Sequence, residues 1–122
     1  MDLYRLYLVT DDKQDLVTLK NVVKEAVAGG VTMVQVREKQ RDIRCFIDIA
    51  LAVKAVLKGS GIPLIINDRV DVALAIDADG VHLGQSDMPA GIARRLLGKD
   101  KLLGLSIENE QQVLEAEPLS VD

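Results

Sequence analysis

The chain has 122 residues, 48% of them apolar and 28% charged, with a net charge of −4. That length accommodates one domain with a usable core, and no apolar run is long enough to span a bilayer. The acidic balance, with no Trp, two Tyr and one Phe, argues against nucleic acid as a partner, and a lone cysteine, Cys45, excludes a disulfide framework or a thiolate zinc site within one chain.

Met1-Asp-Leu-Tyr-Arg5 has no basic lead into an apolar segment and runs directly into a strand, so a cytoplasmic location is the default expectation. Tyr4 to Thr10 reads as the first strand. Leu16, Leu19, Val23, Ala26 and Val27 recur on one face of a helix that Asp15 can cap and Gly29-Gly30 can end. Met33 to Arg37 is a second strand and Asp42 to Leu57 a second helix, with Ile43, Phe46, Ile47, Ala50, Val53 and Leu57 at helical spacing. Cys45 lies on this helix, where a buried or half-buried small side chain is expected rather than a catalytic thiol, since no base is visible beside it.

Gly59-Ser-Gly-Ile-Pro63 turns into a third strand, Leu64 to Asn67, followed by a short helix from Arg69 to Ile76. The fourth strand is Gly80 to Leu83. The next helix begins near Asp87 with Pro89 in its first turn, where a missing amide proton does no harm. Leu102 to Ser106 is a fifth strand, Asn109 with Gln112 suggests a capping box for a fifth helix, and a sixth strand would begin at Ser120-Val-Asp122.

The apolar strands alternate with helices at uneven steps, which argues against a solenoid and for right-handed β/α units in one domain spanning 1–122. Such units build either an open doubly wound sheet or a (β/α)8 TIM barrel. Polar residues follow nearly every strand, as a barrel rim requires, and neither a dinucleotide fingerprint nor a P-loop follows the first strand. The expected fold is therefore α/β, of the TIM barrel type, with about the first five β/α units present. Five strands cannot close a barrel, so the chain reads as an incomplete one, inactive alone, and its open edge at strand five predicts association, for which a homo-oligomer is one form.

Asp68 and Asp87 each follow an apolar strand. They are hard oxygen donors of the kind that hold Mg²⁺ together with water or substrate phosphate, although each also precedes a helix and Asp is a favoured N-cap. If the strand continues past Met33, period-two geometry puts Gln35, Arg37 and Lys39 on one side as a donor array suited to a diphosphate; a solvated strand end is the alternative. Asn67 offers a neutral amide to a heterocycle or phosphate, or simply makes a turn. His82 faces away from Val81 and Leu83 as a hydrogen-bonded interior histidine, Gly84 allows close backbone approach, and Ser106 lacks the surroundings of a nucleophile.

Gln35-Val-Arg-Glu-Lys39, Ile66-Asn-Asp-Arg-Val-Asp-Val-Ala-Leu74, Ala78-Asp-Gly-Val-His-Leu-Gly-Gln-Ser-Asp87 and Leu103-Gly-Leu-Ser106, in this order and at these separations, closely resemble the thiamine phosphate synthases. The resemblance implies a transferase of thiamine biosynthesis that joins hydroxymethylpyrimidine diphosphate to thiazole phosphate and releases pyrophosphate. It implies that Gln35, Arg37, Glu38, Lys39 and Asn67 bind the pyrimidine diphosphate, that Asp68 and Asp87 hold Mg²⁺, that Ser106 contacts the diphosphate, and that Tyr7 and His82 lie near the pyrimidine. No side-chain nucleophile is implied, and the partners are small molecules, with neither nucleic acid nor membrane. The family is longer than this chain and places a further phosphate-contacting lysine, a Thr-rich loop and a Gly-rich thiazole-phosphate loop after the fifth helix. Ile107-Glu108 also departs from relatives that often carry a histidine just after the serine. The thiazole tautomerase paralogue and a noncatalytic barrel fragment are the alternatives, and retention of both Asp68 and Asp87 favours the synthase.

Overall fold

A computed structural model describes residues 2–116 and 121–122. The strands are β1 (Tyr7–Val9), β2 (Met33–Val36), β3 (Leu64–Asn67), β4 (Gly80–Leu83) and β5 (Leu102–Leu105), alternating with α1 (Leu16–Ala28), α2 (Ile43–Leu57), α3 (Val70–Ala75), α4 (Ala90–Leu97) and α5 (Glu110–Ala116). All four pairings are parallel and the spatial order is β1-β2-β3-β4-β5. Each strand lies beside the one before it in the chain, so the order never reverses. A doubly wound sheet reverses at a switch point, whereas a barrel wall does not.

The pairing register sorts the side chains into two faces. Leu8 pairs with Val34, Val34 with Leu64, Ile66 with Val81, and Val81 with Leu103. These residues belong to one apolar cluster with Leu19 and Val23 of α1, Phe46, Ala50 and Val53 of α2, Val72 and Ala73 of α3, and Ala93 of α4. The opposite parity carries Tyr7, Met33, Gln35, Ile65, Asn67, His82 and Gly104. Helices thus cover one face, and the other, lined by mixed polar and apolar groups, is the lumen side of a partial barrel.

Local chemistry explains most boundaries. Asp15 caps α1 by accepting from Thr18 N at 2.7 Å, and Asp42 caps α2 by accepting from Cys45 N at 2.9 Å. Gly29 closes α1 by donating to Glu25 O, and Gly30 then takes φ +98°, which glycine adopts without strain. The first strand begins later than Tyr4, because Asp2 draws the amides of Tyr4 and Arg5 into a turn while the Thr32 hydroxyl engages Leu3 O and Leu6 O. Helix α4 likewise begins after Asp87, with Pro89 as its N-cap. Asn109 caps α5 by accepting from Gln112 N, but the Gln112 side-chain carbonyl accepts in return from Glu108 N rather than from Asn109 N.

Cys45 is exposed, which corrects the expectation of burial. It sits in the solvent-facing first turn of α2, whose inward stripe is Phe46, Ile49, Ala50, Val53 and Leu57; Ile49 replaces Ile43, which is exposed. Asp42 beside it pushes the thiol pKa up, the opposite of what a nucleophile needs. The start of a sixth strand at Ser120 lies outside the described residues, although Asp122 N donates to Leu103 O at 2.7 Å, as a strand added beside β5 would. Among the described residues no helix is long and apolar enough to cross a membrane.

Candidate active site

Parallel strands put all their carboxyl ends on one rim, and nearly every residue singled out by the sequence lies there. On the lumen face, Gln35 Nε2 donates to the Tyr7 hydroxyl at 2.9 Å, and Asn67 Nδ2 donates to Gln35 Oε1 at 2.8 Å. Gln35 and Asn67 are buried. This chain of bonds uses the amide of Gln35 on both sides and locks it, while Asn67 retains its carbonyl oxygen and the Tyr7 hydroxyl retains its proton. Burial pushes the Tyr7 pKa up, with the bond from Gln35 opposing, so the phenol stays protonated and able to donate.

Register places His82 beside Asn67 on one side and Gly104 on the other. The His82 ring lies half-buried on the lumen face, and its Nε2 is 2.7 Å from Ser106 Oγ. Desolvation pushes its pKa down, which favours neutral imidazole at pH 7. Ser106 is fixed by its own backbone, since its N–H donates to Leu83 O at 2.8 Å and its carbonyl accepts from Gln85 Nε2 at 2.8 Å.

Both aspartates lie in the loops that follow β3 and β4. Asp68 takes φ +65°, a sparsely populated region for a residue with a Cβ, and is held there by its N–H donating to His82 O and by Arg69 N donating to Asn67 O. Its carboxylate is paired with Lys39. Asp87 folds back so that Oδ2 accepts from Gly84 N at 2.7 Å, and a Cβ on Gly84 would lie 3.0 Å from the same oxygen. Neither aspartate donates a cap to the helix after it: Arg69 and Pro89 occupy the N-cap positions, and neither helix has a side-chain cap bond. The capping alternative for these two residues is thereby overturned.

Among the described residues no three His, Cys, Asp or Glu side chains gather as a metal cluster. Two carboxylates without a nitrogen or sulfur donor fit a hard divalent ion whose other ligands are water and substrate oxygens.

The loop after β2 departs from the period-two array. The strand stops at Val36, and the chain turns as Arg37 N donates to Thr10 Oγ1 at 3.2 Å and Gln40 N donates to Asp12 Oδ2 at 3.0 Å. Gln35 therefore points into the lumen, whereas Arg37 and Lys39 are exposed at the rim. Glu38 is not brought into their company. Its side chain is 1% exposed, with Oε2 3.0 Å from Arg41 Nε, and Arg41 Nη2 reaches across to Gln14 O at 2.9 Å. Desolvation pushes the Glu38 pKa up; Arg41 opposes this, and Asp12 adds to it.

Thr10, Arg41, Gln85 and Gly104 hold this site in shape, yet the sequence did not single them out. Arg41 alone had a local signal, an opposite charge three residues after Glu38; that Glu38 is buried and needs it shows only in the structure. The roles of Thr10 and Gly104 depend on strand register, which no local pattern reveals.

The fold and rim define a parallel β/α barrel protein whose polar site gathers at the carboxyl ends of successive strands. The sequence profile described as Thiamine monophosphate synthase matches residues 6–122. A protein of Vibrio campbellii named thiamine-phosphate synthase is 71% identical over 122 residues, covering 100% of this chain and 60% of its own length. One of the same name from Methanobrevibacter smithii is 50% identical over 117 residues, covering 96% of this chain and 56% of its own. The solved structure of a thiamine phosphate pyrophosphorylase from Pyrococcus furiosus superposes with a TM-score of 0.86 at 34% identity, over 99% of this chain and 58% of that one. The chain belongs to the thiamine monophosphate synthase family, and it spans about 60% of the length of the Vibrio relative.

Proposed function

We propose that this chain supplies the pyrimidine-diphosphate half of a transferase that couples hydroxymethylpyrimidine diphosphate with thiazole phosphate to give thiamine phosphate and pyrophosphate. The observation that carries the reading is the single rim on which locked neutral amides, an imidazole–hydroxyl pair, exposed cations and two carboxylates follow one another around the strands. Relatives across the whole chain that bear the synthase name support the same reaction.

In this reading Asn67 and Gln35 present fixed donors and acceptors to the pyrimidine ring, with Tyr7 and His82 beside it. Arg37 and Lys39 lie against the diphosphate, and Ser106 donates its hydroxyl to a phosphoryl oxygen. Asp68 and Asp87 are the residues that would hold Mg²⁺, which when bound would supply positive charge to the departing diphosphate. The bond between the pyrimidine methylene carbon and the diphosphate oxygen breaks with its electron pair leaving on pyrophosphate. The electron-rich pyrimidine carries the resulting cation, and the thiazole nitrogen lone pair then forms the new C–N bond. No proton moves and no side chain is alkylated, which accords with a rim rich in donors and, among the described residues, without an activated thiol or serine.

Glu38 acts from behind the rim, tying the Arg37–Lys39 loop to the loop after β1 through Arg41. The thiazole-phosphate contacts belong to the length by which the relatives exceed this chain. The substrates of this reading are water-borne, which supports the expected cytoplasmic location without requiring a membrane. In a chain of the relatives' length, Asp68→Asn or Asp87→Asn should abolish Mg²⁺-dependent formation of thiamine phosphate while leaving the fold intact. Wild-type rates in both variants would overturn the reading.

A further inference from the structure

We infer that Gly104 is a positioning residue, whose missing side chain is the bed on which the His82 imidazole lies so that His82 fixes Ser106 as a hydrogen-bond donor to a phosphoryl oxygen. The inference rests on the diphosphate reading only for the identity of the acceptor; the arrangement of the three residues stands on its own.

His82 and Gly104 are register partners on adjacent strands, with their side-chain positions on the same face. A Cβ built on Gly104 would lie 2.4 Å from His82 Nδ1, 3.2 Å from Cε1 and 3.3 Å from Cγ. No side chain fits there while the ring keeps its place. Gly104 has no positive φ to explain a glycine, unlike Gly30, Gly59, Gly61 and Gly98. Space for the ring is the requirement that remains.

That placement also decides where the ring proton sits. Neutral imidazole has one N–H. Nδ1 faces the Gly104 backbone carbon and has no acceptor among the described residues, whereas Nε2 is 2.7 Å from Ser106 Oγ. A proton on Nδ1 would be a half-buried donor without a partner, so the proton belongs on Nε2 and is donated to Ser106 Oγ. The serine then uses a lone pair toward His82 and keeps its own O–H free. Its backbone is already pinned on both sides by Leu83 O and Gln85 Nε2. What remains is the side-chain rotamer and the hydroxyl rotor, and the bond from His82 fixes both, with the hydroxyl proton aimed away from the ring. An anionic oxygen is the acceptor such a donor suits best.

The test uses the full-length protein, with the His82 ring signals in a long-range proton–nitrogen correlation spectrum identified by their loss in His82→Ala. The wild-type ring should show the Nε2–H tautomer, and an Nδ1–H tautomer would overturn the inference. Gly104→Ala should abolish that fixed signature and weaken binding of inorganic pyrophosphate in the presence of Mg²⁺ by roughly tenfold or more, as Ser106→Ala should, since one bond to a charged group is lost. In the His82→Ala background, Gly104→Ala should cost nothing further, because the ring that needed the space is gone. Equal weakening by Gly104→Ala with and without His82 would show that the glycine acts on the strand and not through the imidazole, and would overturn the proposal. If Gly104→Ala alone fails to fold, recovery in the double variant supports the inference and failure to recover overturns it. A wild type with the Nε2–H tautomer that neither binds pyrophosphate nor turns over would refute the diphosphate reading while leaving the His82–Gly104 arrangement standing.

Discussion

Gln35→Leu isolates the bond network that orders the lumen face. Gln35 is 4% exposed and spends both ends of its amide, on the Tyr7 hydroxyl at 2.9 Å and on Asn67 Nδ2 at 2.8 Å. Leucine has a similar volume, so the cavity contribution is small and the loss is chiefly polar. Two neutral hydrogen bonds are each worth about 1 kcal/mol net, and the buried Asn67 donor left without its acceptor costs about 1–3 kcal/mol more. Tyr7 is half-buried and can turn its hydroxyl to water, which recovers part of its share. A loss of about 2–5 kcal/mol follows from these contributions. Urea denaturation of the full-length protein reads it as a lowered midpoint at unchanged slope. Gln35→Glu separates stability from binding, because it keeps the acceptor for Asn67 and lets the Tyr7 hydroxyl donate instead, but adds a negative charge to the rim that is to take an anionic ligand. It should bind pyrophosphate worse than Gln35→Leu. A Gln35→Leu protein within about 0.5 kcal/mol of wild type, the range of ordinary surface substitutions, would refute the network.

Lys39→Met should tighten binding of Mg²⁺ alone, by up to about fivefold for an ion pair this exposed, because the ammonium competes for Asp68, while weakening binding of pyrophosphate; titration calorimetry reads both, and looser Mg²⁺ binding would contradict the pairing. The depressed pKa of His82 gives a stability contribution present above its unfolded value and lost as pH falls through the lower folded one. His82→Gln should therefore be less sensitive than wild type to acidification below about pH 6.5, as thermal unfolding across that range would show. Glu38 has the opposite sign: its raised pKa gives a contribution present at low pH and lost as pH rises through the folded value. Stability of wild type relative to Glu38→Gln should thus decline from acid toward neutral pH, and a flat difference would show that Arg41 compensates the charge completely.

Legibility in the sequence followed the range of the interaction that sets each feature. Leu64–Asn67 and Gly80–Leu83 were readable to the residue, because a short apolar run bounded by turn residues is a local signal. The caps at Asp15 and Asp42 were local as well. Tyr4 to Leu6 read as strand by composition, yet contacts to Asp2 and Thr32 bend them away, the latter more than twenty residues distant. In the site, residue types at strand ends marked Gln35, Asn67, His82 and Ser106 as polar groups of one rim, but that they share the lumen face follows only from the strand register. The turn after Val36 was not legible, since it is set by Thr10 and Asp12 from another loop. It sends Glu38 inward and leaves Arg37 and Lys39 outside. Gly104 carries no role that its local sequence shows, because its meaning appears only when β5 is laid against β4.

Formation of thiamine phosphate from hydroxymethylpyrimidine diphosphate and thiazole phosphate, with and without Mg²⁺, tests the central claim most directly. It should be measured for the 122-residue chain beside a chain extended to the length of its relatives. Product only from the extended chain, and only with Mg²⁺, is the predicted result. A folded extended chain that forms no product from saturating substrates, or that forms it equally well after Mg²⁺ is removed, would contradict it.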